Sequence, residues 1–480
     1  MKTTTEIQLK SLWNFFNQIV TIPRASKKEE KIRNFLLAFA KEHNLEASTD
    51  NAGNVLIRKP GSPDKIPSKS IVLQTHMDMV CEKDSAVIHN FDTDAIQTQI
   101  KDDWMLAKGT TLGADNGIGI AIQLALLADN TLSHPALECL FTTDEETGLY
   151  GASNLDSKLL QSTTLINLDT EEEGEFCIGC AGGMDTLATI IKEEAPTPEN
   201  FFFFHVKISG LQGGHSGEDI NKGRANAIKI LSQYLAILKS KTDVRIANIH
   251  GGNLRNAIPR EAEATLAVPY KDKELIRVEI NHFIADVETE FVETENKMRI
   301  ELDSCDKEEL LISKSISDSL IVALNKCPHG VIEMNASIPT LVETSTNLAA
   351  IHTLDSHIFI ETSQRSANEL KKKQIADVVA TILSETGASI KKGKDYPGWE
   401  PNLQSNILKT CITSYKDLFD KEPIVKVIHA GLECGVIAKR YPNMDMISIG
   451  PTILNAHSPS EKVSISSVEK CWKLLLHVLE

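Results

Sequence analysis

Acidic residues or a histidine follow directly on strand-like runs at four places far apart in the chain. They are Leu73-Gln74-Thr75-His76-Met77-Asp78, Phe141-Thr142-Thr143-Asp144-Glu145-Glu146-Thr147-Gly148, Leu165-Ile166-Asn167-Leu168-Asp169-Thr170 and Asn455-Ala456-His457-Ser458-Pro459. A fifth group, Gly113-Ala114-Asp115-Asn116-Gly117, stands at a helix start. In open parallel sheets, sites form beyond the carboxyl ends of the strands, so residues distant in sequence can meet there.

The local pattern predicts such a sheet. Ser26 followed by Glu29 reads as a capping box, after which Ile32, Phe35, Leu36 and Phe39 recur at helical spacing. Strands are predicted over Ser70–Gln74, Leu137–Phe141 and Thr164–Leu168, with a helix over Asn116–Ala128 whose Ile118, Ile122 and Leu126 share one face. Strands alternating with helices imply a mostly parallel sheet covered on both faces.

With 480 residues the chain exceeds the roughly 250–300 residues at which a single core stops growing, so two or more domains are expected. Lys192–Asn200 is polar with two prolines and reads as a linker. Beyond it lie a strand over Phe201–Ile208, a helix over Arg224–Lys239 and a strand over Ala262–Val268. Helices around Lys273–Val292 and Lys307–Lys326 follow, then strands near Pro339–Ile351 and His357–Thr362 and a helix over Asn368–Glu385. Lys391–Asn402 turns loop-like, and α/β texture returns to the end. One α/β domain built from residues 1–185 and 396–480, with an α+β domain inserted over 186–395, accounts for the order.

Composition narrows the function. Hydrophobic residues at 41% and charged residues at 24% are ordinary globular usage, which excludes global disorder. A net charge of −16 argues against a nucleic-acid surface. Met1–Val20 has no continuous apolar stretch of the export-signal kind, and no window reaches the ~18 apolar residues of a membrane span. A cytoplasmic protein without membrane or nucleic-acid partners is expected. The nine cysteines are scattered; Cys177 and Cys180 form one CxxC without a second pair, which reads as reduced thiols.

Taken singly, each acidic or histidine residue has a plain explanation: a strand-end His as a satisfied polar group, Glu145-Glu146 as a solvated edge, Asp115 as an N-cap. Their joint placement at strand ends and a helix start makes coincidence the poorer account. Two His and several carboxylates form a ligand set suited to Zn²⁺, and also to Mn²⁺ or Co²⁺.

The same groups, together with Gly213-Gly214-His215-Ser216-Gly217 and His429-Ala430-Gly431-Leu432-Glu433-Cys434-Gly435, resemble the co-catalytic dizinc exopeptidases that include the carnosinases. The resemblance runs essentially end to end and lies with the branch that cleaves dipeptides ending in His. It implies a zinc-exopeptidase-like catalytic domain with an inserted lid, and a homodimer formed through that lid. It implies two Zn²⁺ per subunit, Asp115 bridging them, His76 and Asp169 completing one site, and Glu146 and His457 the other. Glu145 would be the general base and Asp78 would accept the other imidazole N–H of His76. In the lid, His215 would contact the substrate carbonyl or oxyanion, in its own or the partner subunit's site. Asn256, Arg365 and Gly431 would receive the substrate's C-terminal carboxylate, for which a guanidinium fork is suited. The activity implied is hydrolysis of unblocked dipeptides, preferentially Xaa-His, including those that begin with β-Ala.

Rival readings separate on particular residues. Gly117-Ile118-Gly119 opens a helix, but Ile122 stands where the third glycine of a dinucleotide loop belongs, and no GK[ST] follows. Ser216 lacks the spacing of a nucleophile elbow. An aminoacylase, tripeptidase or carboxypeptidase would share the metal residues and differ in lid and pocket. A non-enzymatic binding protein that kept the fold would have no use for Glu145 beside five intact ligands.

Overall fold

The computed structural model describes residues 4–66, 69–336 and 338–480, and the chain forms two compact units. The first comprises residues 1–180, 399–427 and 432–480; the second comprises 181–398 and 428–431. The short return of 428–431 to the second unit has no signature in composition.

The first unit is built on an eight-stranded sheet in the order Glu46–Thr49, Val55–Lys59, Leu137–Thr142, Ile71–His76, Thr164–Asn167, Asp445–Ser448, Glu175–Cys180, Ile424–Ile428. Its four central strands, Leu137–Thr142 to Asp445–Ser448, run parallel. The pairs at Glu46–Thr49 with Val55–Lys59, Val55–Lys59 with Leu137–Thr142, and Asp445–Ser448 with Glu175–Cys180 are antiparallel. Leu137–Thr142 is buried at every residue, as a strand covered on both faces must be. The Ala114–Ala128 helix packs on Ile71–His76 and against Thr4–Ile19, and Ile465–Leu479 brings fully buried Trp472 to the same core. A separate four-stranded sheet orders Ile453–Leu454, Lys462–Ser464, Trp104–Ala107 and Thr98–Lys101. Its first two strands form the hairpin that carries His457.

The second unit holds a nine-stranded sheet in which every recorded pairing is antiparallel. Phe204, Val206 and Ile208 alternate inward along Phe201–Ser209, and the Ala227–Lys241, Lys314–Lys326 and Glu369–Ser384 helices bury their apolar faces in the same core. Among the described residues, no helix is long and apolar enough to cross a membrane.

Local expectations fail where a long-range partner takes over. The helix after Ser26 begins at Glu30 without a side-chain cap. Ser26 instead donates its hydroxyl to Asp78 Oδ2 at 2.8 Å, and Glu29 Oε1 accepts the Lys27 and Asp144 N–H groups. The polar stretch read as a linker contains the strand Glu194–Pro196, paired with Leu310–Ile312. That pairing also holds 307–313 out of the helix, which starts at Lys314. Within Lys391–Asn402, read as loop-like, residues up to Tyr396 belong to the edge strand Ser389–Tyr396, which pairs with Gly182–Ile191. Cys177 and Cys180 lie three apart on one strand, a spacing that points them to opposite faces, and no two cysteines are joined.

Candidate active site

The parallel strands carry the candidate ligands to one edge. His76 ends Ile71–His76, Glu145 and Glu146 follow Leu137–Thr142, and Asp169 follows Thr164–Asn167. Asp115 lies in the first turn of Ala114–Ala128, with non-helical backbone at Asp115 and Asn116. His457 sits in the hairpin loop with φ +63°, a left-handed conformation that non-glycine residues adopt mainly where the surroundings enforce it.

Asp115 divides its two oxygens between two imidazoles. Its Oδ1 lies 2.9 Å from His76 Nε2 and its Oδ2 lies 3.1 Å from His457 Nε2. Around the first contact, Asp169 Oδ1 stands 3.4 Å from His76 Nε2; around the second, Glu146 Oε2 stands 3.0 Å from His457 Nε2. Two donor triads thus share Asp115: His76, Asp115 and Asp169, and Asp115, Glu146 and His457, each with ligand atoms within 4.8 Å of one another. Glu145 offers an oxygen within the same distance of His76 and Glu146.

This donor set fits a pair of divalent cations. Asp115, Glu145, Glu146 and Asp169 gather carboxylates where water is largely excluded, an arrangement that needs compensating positive charge. Glu146 Oε1 is buried without a hydrogen-bond partner. The imidazoles respond to the same field. Hydrogen bonds to Asp115 and Glu146 push His457 up to about 11. Burial opposes protonation of His76, yet the Asp169 charge and the Asp115 contact still raise it well above the usual histidine range. Burial raises Glu145, and the neighbouring Asp169 and Glu146 charges add to it.

Further buried polar residues hold this set. Asp78 Oδ1 faces His76 Nδ1 at 3.4 Å. Its oxygens accept the N–H groups of Glu145 (3.0 Å) and Glu146 (3.2 Å). Asn116 donates Nδ2 to Asp169 and to the Leu168 carbonyl. Beneath the strand ends, fully buried Glu433 accepts from Gln74 Nε2 at 2.6 Å and Thr142 Oγ1 at 2.7 Å, and burial pushes its carboxyl up to about 7. Glu433 lies within the quoted 429–435 motif, but nothing in the motif indicates that contact.

The second unit gathers the other residues read from sequence. Buried Arg365 donates Nη1 to Tyr396 Oη at 2.9 Å and approaches Ser216 Oγ at 3.5 Å. His215 Nδ1 accepts the N–H groups of Gly217 (3.3 Å) and Glu218 (3.1 Å), which leaves the proton on Nε2. Burial and then the Arg365 charge lower its pKa, so the ring is a neutral donor. Gly431 packs on Tyr396, whose ring a Cβ would meet at 2.9 Å. Asn256 joins through its backbone, its carbonyl accepting the Ser216 N–H at 2.8 Å, while its side chain is exposed. Ser345, which the sequence reading passed over, belongs here with His429 of the 429–435 motif: Ser345 Oγ and His429 Nε2 lie 2.7 Å apart, both buried.

The sequence pattern of peptidase family M20/M25/M40 matches residues 72–480. The chain is 39% identical over 480 residues to the cytosol non-specific dipeptidase of Escherichia coli strain K12, covering 100% of this chain and 99% of that one. The crystal structure of aminoacylhistidine dipeptidase from Vibrio alginolyticus superposes with a TM-score of 0.92 at 38% identity, covering 98% of this chain and 96% of that one. An aminopeptidase from Bacillus cereus shares the fold alone, with a TM-score of 0.59 at 16% identity over 98% of both chains.

Proposed function

From a chain that belongs to peptidase family M20/M25/M40 and so is a peptide-bond hydrolase, we infer a metal-dependent dipeptidase that cleaves unblocked dipeptides, with preference for those ending in histidine. The observation that carries this reading is Asp115, one carboxylate serving two imidazole-containing triads. His76, Asp115 and Asp169 would hold one ion; Asp115, Glu146 and His457 would hold the other. Zinc suits these nitrogen and oxygen donors, with manganese or cobalt as alternatives. Such a pair, when bound, supplies a water acidic enough to be deprotonated at neutral pH and polarises the scissile carbonyl.

The chain's own groups do the rest. Glu145, given to no ion in this assignment, takes the proton of the attacking water and delivers it to the departing amine. Asp78 fixes the backbone of Glu145 and Glu146 and faces His76. Arg365 receives the substrate's terminal carboxylate, aided by Asn256 and the Gly431 backbone, and His215 offers its Nε2 proton to the substrate carbonyl as charge develops there. The protein pairs as a homodimer through its inserted domain and works in the cytoplasm, the compartment for which the E. coli relative is named.

Turnover of β-Ala-His, Ala-His, a tripeptide and an N-acetyl amino acid, each before and after exhaustive chelation, tests the reading. Unblocked dipeptides should be hydrolysed, Xaa-His fastest, and chelation should abolish the activity until zinc, manganese or cobalt is restored. Turnover confined to N-acyl substrates, or indifference to chelation, rejects it.

A further inference from the structure

The loop that delivers Asp115 opens the Ala114–Ala128 helix with Gly113 at the N-cap and φ +70°, so no side chain of the loop itself caps the helix. The first N–H groups of a helix need partners from elsewhere. Here they come from one carboxylate near the other end of the chain. Glu461 Oε2 accepts the N–H of Leu112 at 2.7 Å and of Gly113 at 3.0 Å, while Oε1 accepts those of Ala114 at 2.7 Å and Asp115 at 3.3 Å. Glu461 is 2% exposed. It closes the same hairpin loop that carries His457, and its own N–H bonds the Ser458 carbonyl at 3.0 Å.

The opposite side of the loop is held as well. Arg24, 1% exposed, gives Nη2 to the Gly113 carbonyl and Nη1 to the carbonyls of Met77 (3.0 Å) and Asp78 (2.6 Å). Gly113 is thus bonded through its N–H to the His457 hairpin and through its carbonyl to Arg24, which in turn grips the residues after the strand end that bears His76. A Cβ at Gly113 would meet the Arg24 guanidinium at 2.5 Å, so the grip leaves no room for a side chain.

We propose that Glu461 is a positioning residue for the cation pair: it locks the Asp115 loop to the His457 hairpin, so that Asp115 Oδ2 and His457 Nε2 stand ready for one ion before that ion binds. The inference rests on the metal-centre reading above and goes beyond it, because Glu461 lies outside both donor triads. A cap that only stabilised the fold would set melting temperature alone; a positioning residue also sets ion affinity and turnover.

Three measurements decide. In the native protein stripped by chelation, hydrogen exchange at amides 112–115 should be slowed by roughly a hundredfold or more relative to an open chain; rapid exchange there overturns the proposal. Glu461→Gln keeps the shape but turns one acceptor oxygen into a donor that faces two N–H groups. Zinc titration of this variant against a chromophoric chelator should show one of the two ions bound about 10–100-fold more weakly, the range seen when an outer partner of a metal site is removed. Its kcat should fall while KM stays within about twofold, since Glu461 touches no substrate, and added zinc should restore part of the rate. Native affinity for both ions with native kcat, whatever the melting temperature, overturns the proposal. If Glu461→Gln does not fold, the same titration on Glu461→Asp, which keeps the charge and shortens the reach, decides alongside the exchange measurement. Native protein that takes up none of zinc, manganese or cobalt refutes the metal centre itself and this inference with it, and that result is read before any variant is made.

Discussion

Asp78 Oδ1 accepts the backbone N–H of Glu145 at 3.0 Å while standing 3.4 Å from His76 Nδ1. One buried oxygen thereby sets the backbone of the proposed base against the ring of a proposed metal ligand. Asp78→Asn keeps the volume but puts an amide donor where an acceptor is needed. The expected outcome is zinc affinity reduced by about 10–100-fold together with a lower kcat, read by metal titration beside a dipeptide assay. An unchanged kcat at saturating zinc would remove Asp78 from the catalytic apparatus.

Glu145 and Glu146 are neighbours in sequence with different proposed tasks. Glu145→Ala should retain both ions and lose about 10²–10⁴-fold in kcat, the usual contribution of a positioned acid–base group. Asp115→Ala should lose bound metal, because without the shared carboxylate two adjacent dications repel. Metal analysis of the two purified variants separates these outcomes, and two ions retained in Asp115→Ala would show that it does not bridge.

Arg365→Lys keeps the charge and loses the fork held by Tyr396. KM for a dipeptide should rise by about tenfold or more with kcat less affected, the mark of lost ground-state binding. The advantage of a dipeptide over its C-terminal amide should shrink. Equal discrimination in variant and native enzyme would move carboxylate recognition elsewhere.

His429 gives a pH signature to the second unit. Burial, then the Arg365 charge, holds its pKa down at about 3 against an ordinary value of 6.5, so the folded ring is neutral and Ser345 lies within hydrogen-bonding distance. Because the folded value is the lower one, this group's contribution to stability is complete above pH about 6.5 and is lost as pH falls from there towards 3. Urea unfolding between pH 7 and 4 should show this loss, and His429→Gln should make the slope shallower. The same slope in both proteins would mean that other groups carry the acid sensitivity.

The candidate ligands stand out in the sequence because strand-end chemistry is written locally. An apolar run with period two or full burial announces its strand, and the next polar residue falls at the carboxyl edge, as His76, Glu146 and Asp169 do. The same local logic misread Ser26 and Glu29, whose spacing fits a capping box, because Asp78 and the Asp144 N–H offered stronger partners from across the fold. The start of Lys391–Asn402 looked like a loop because an edge strand in water needs little apolar character; pairing with Gly182–Ile191 makes Ser389–Tyr396 a strand.

The sequence by itself determined the donor types, their order and the alternation of strand and helix that brings them to one sheet edge, since each depends on residues within a few positions of one another. Only the tertiary structure decided which oxygen of Asp115 meets which imidazole, that Asp78 grips the backbone of Glu145, and that Arg24 and Glu461 hold Gly113 from opposite sides. Those contacts join residues tens to hundreds of positions apart, and a lone buried arginine or glutamate carries no periodicity. Its partners exist only once the chain has closed around it.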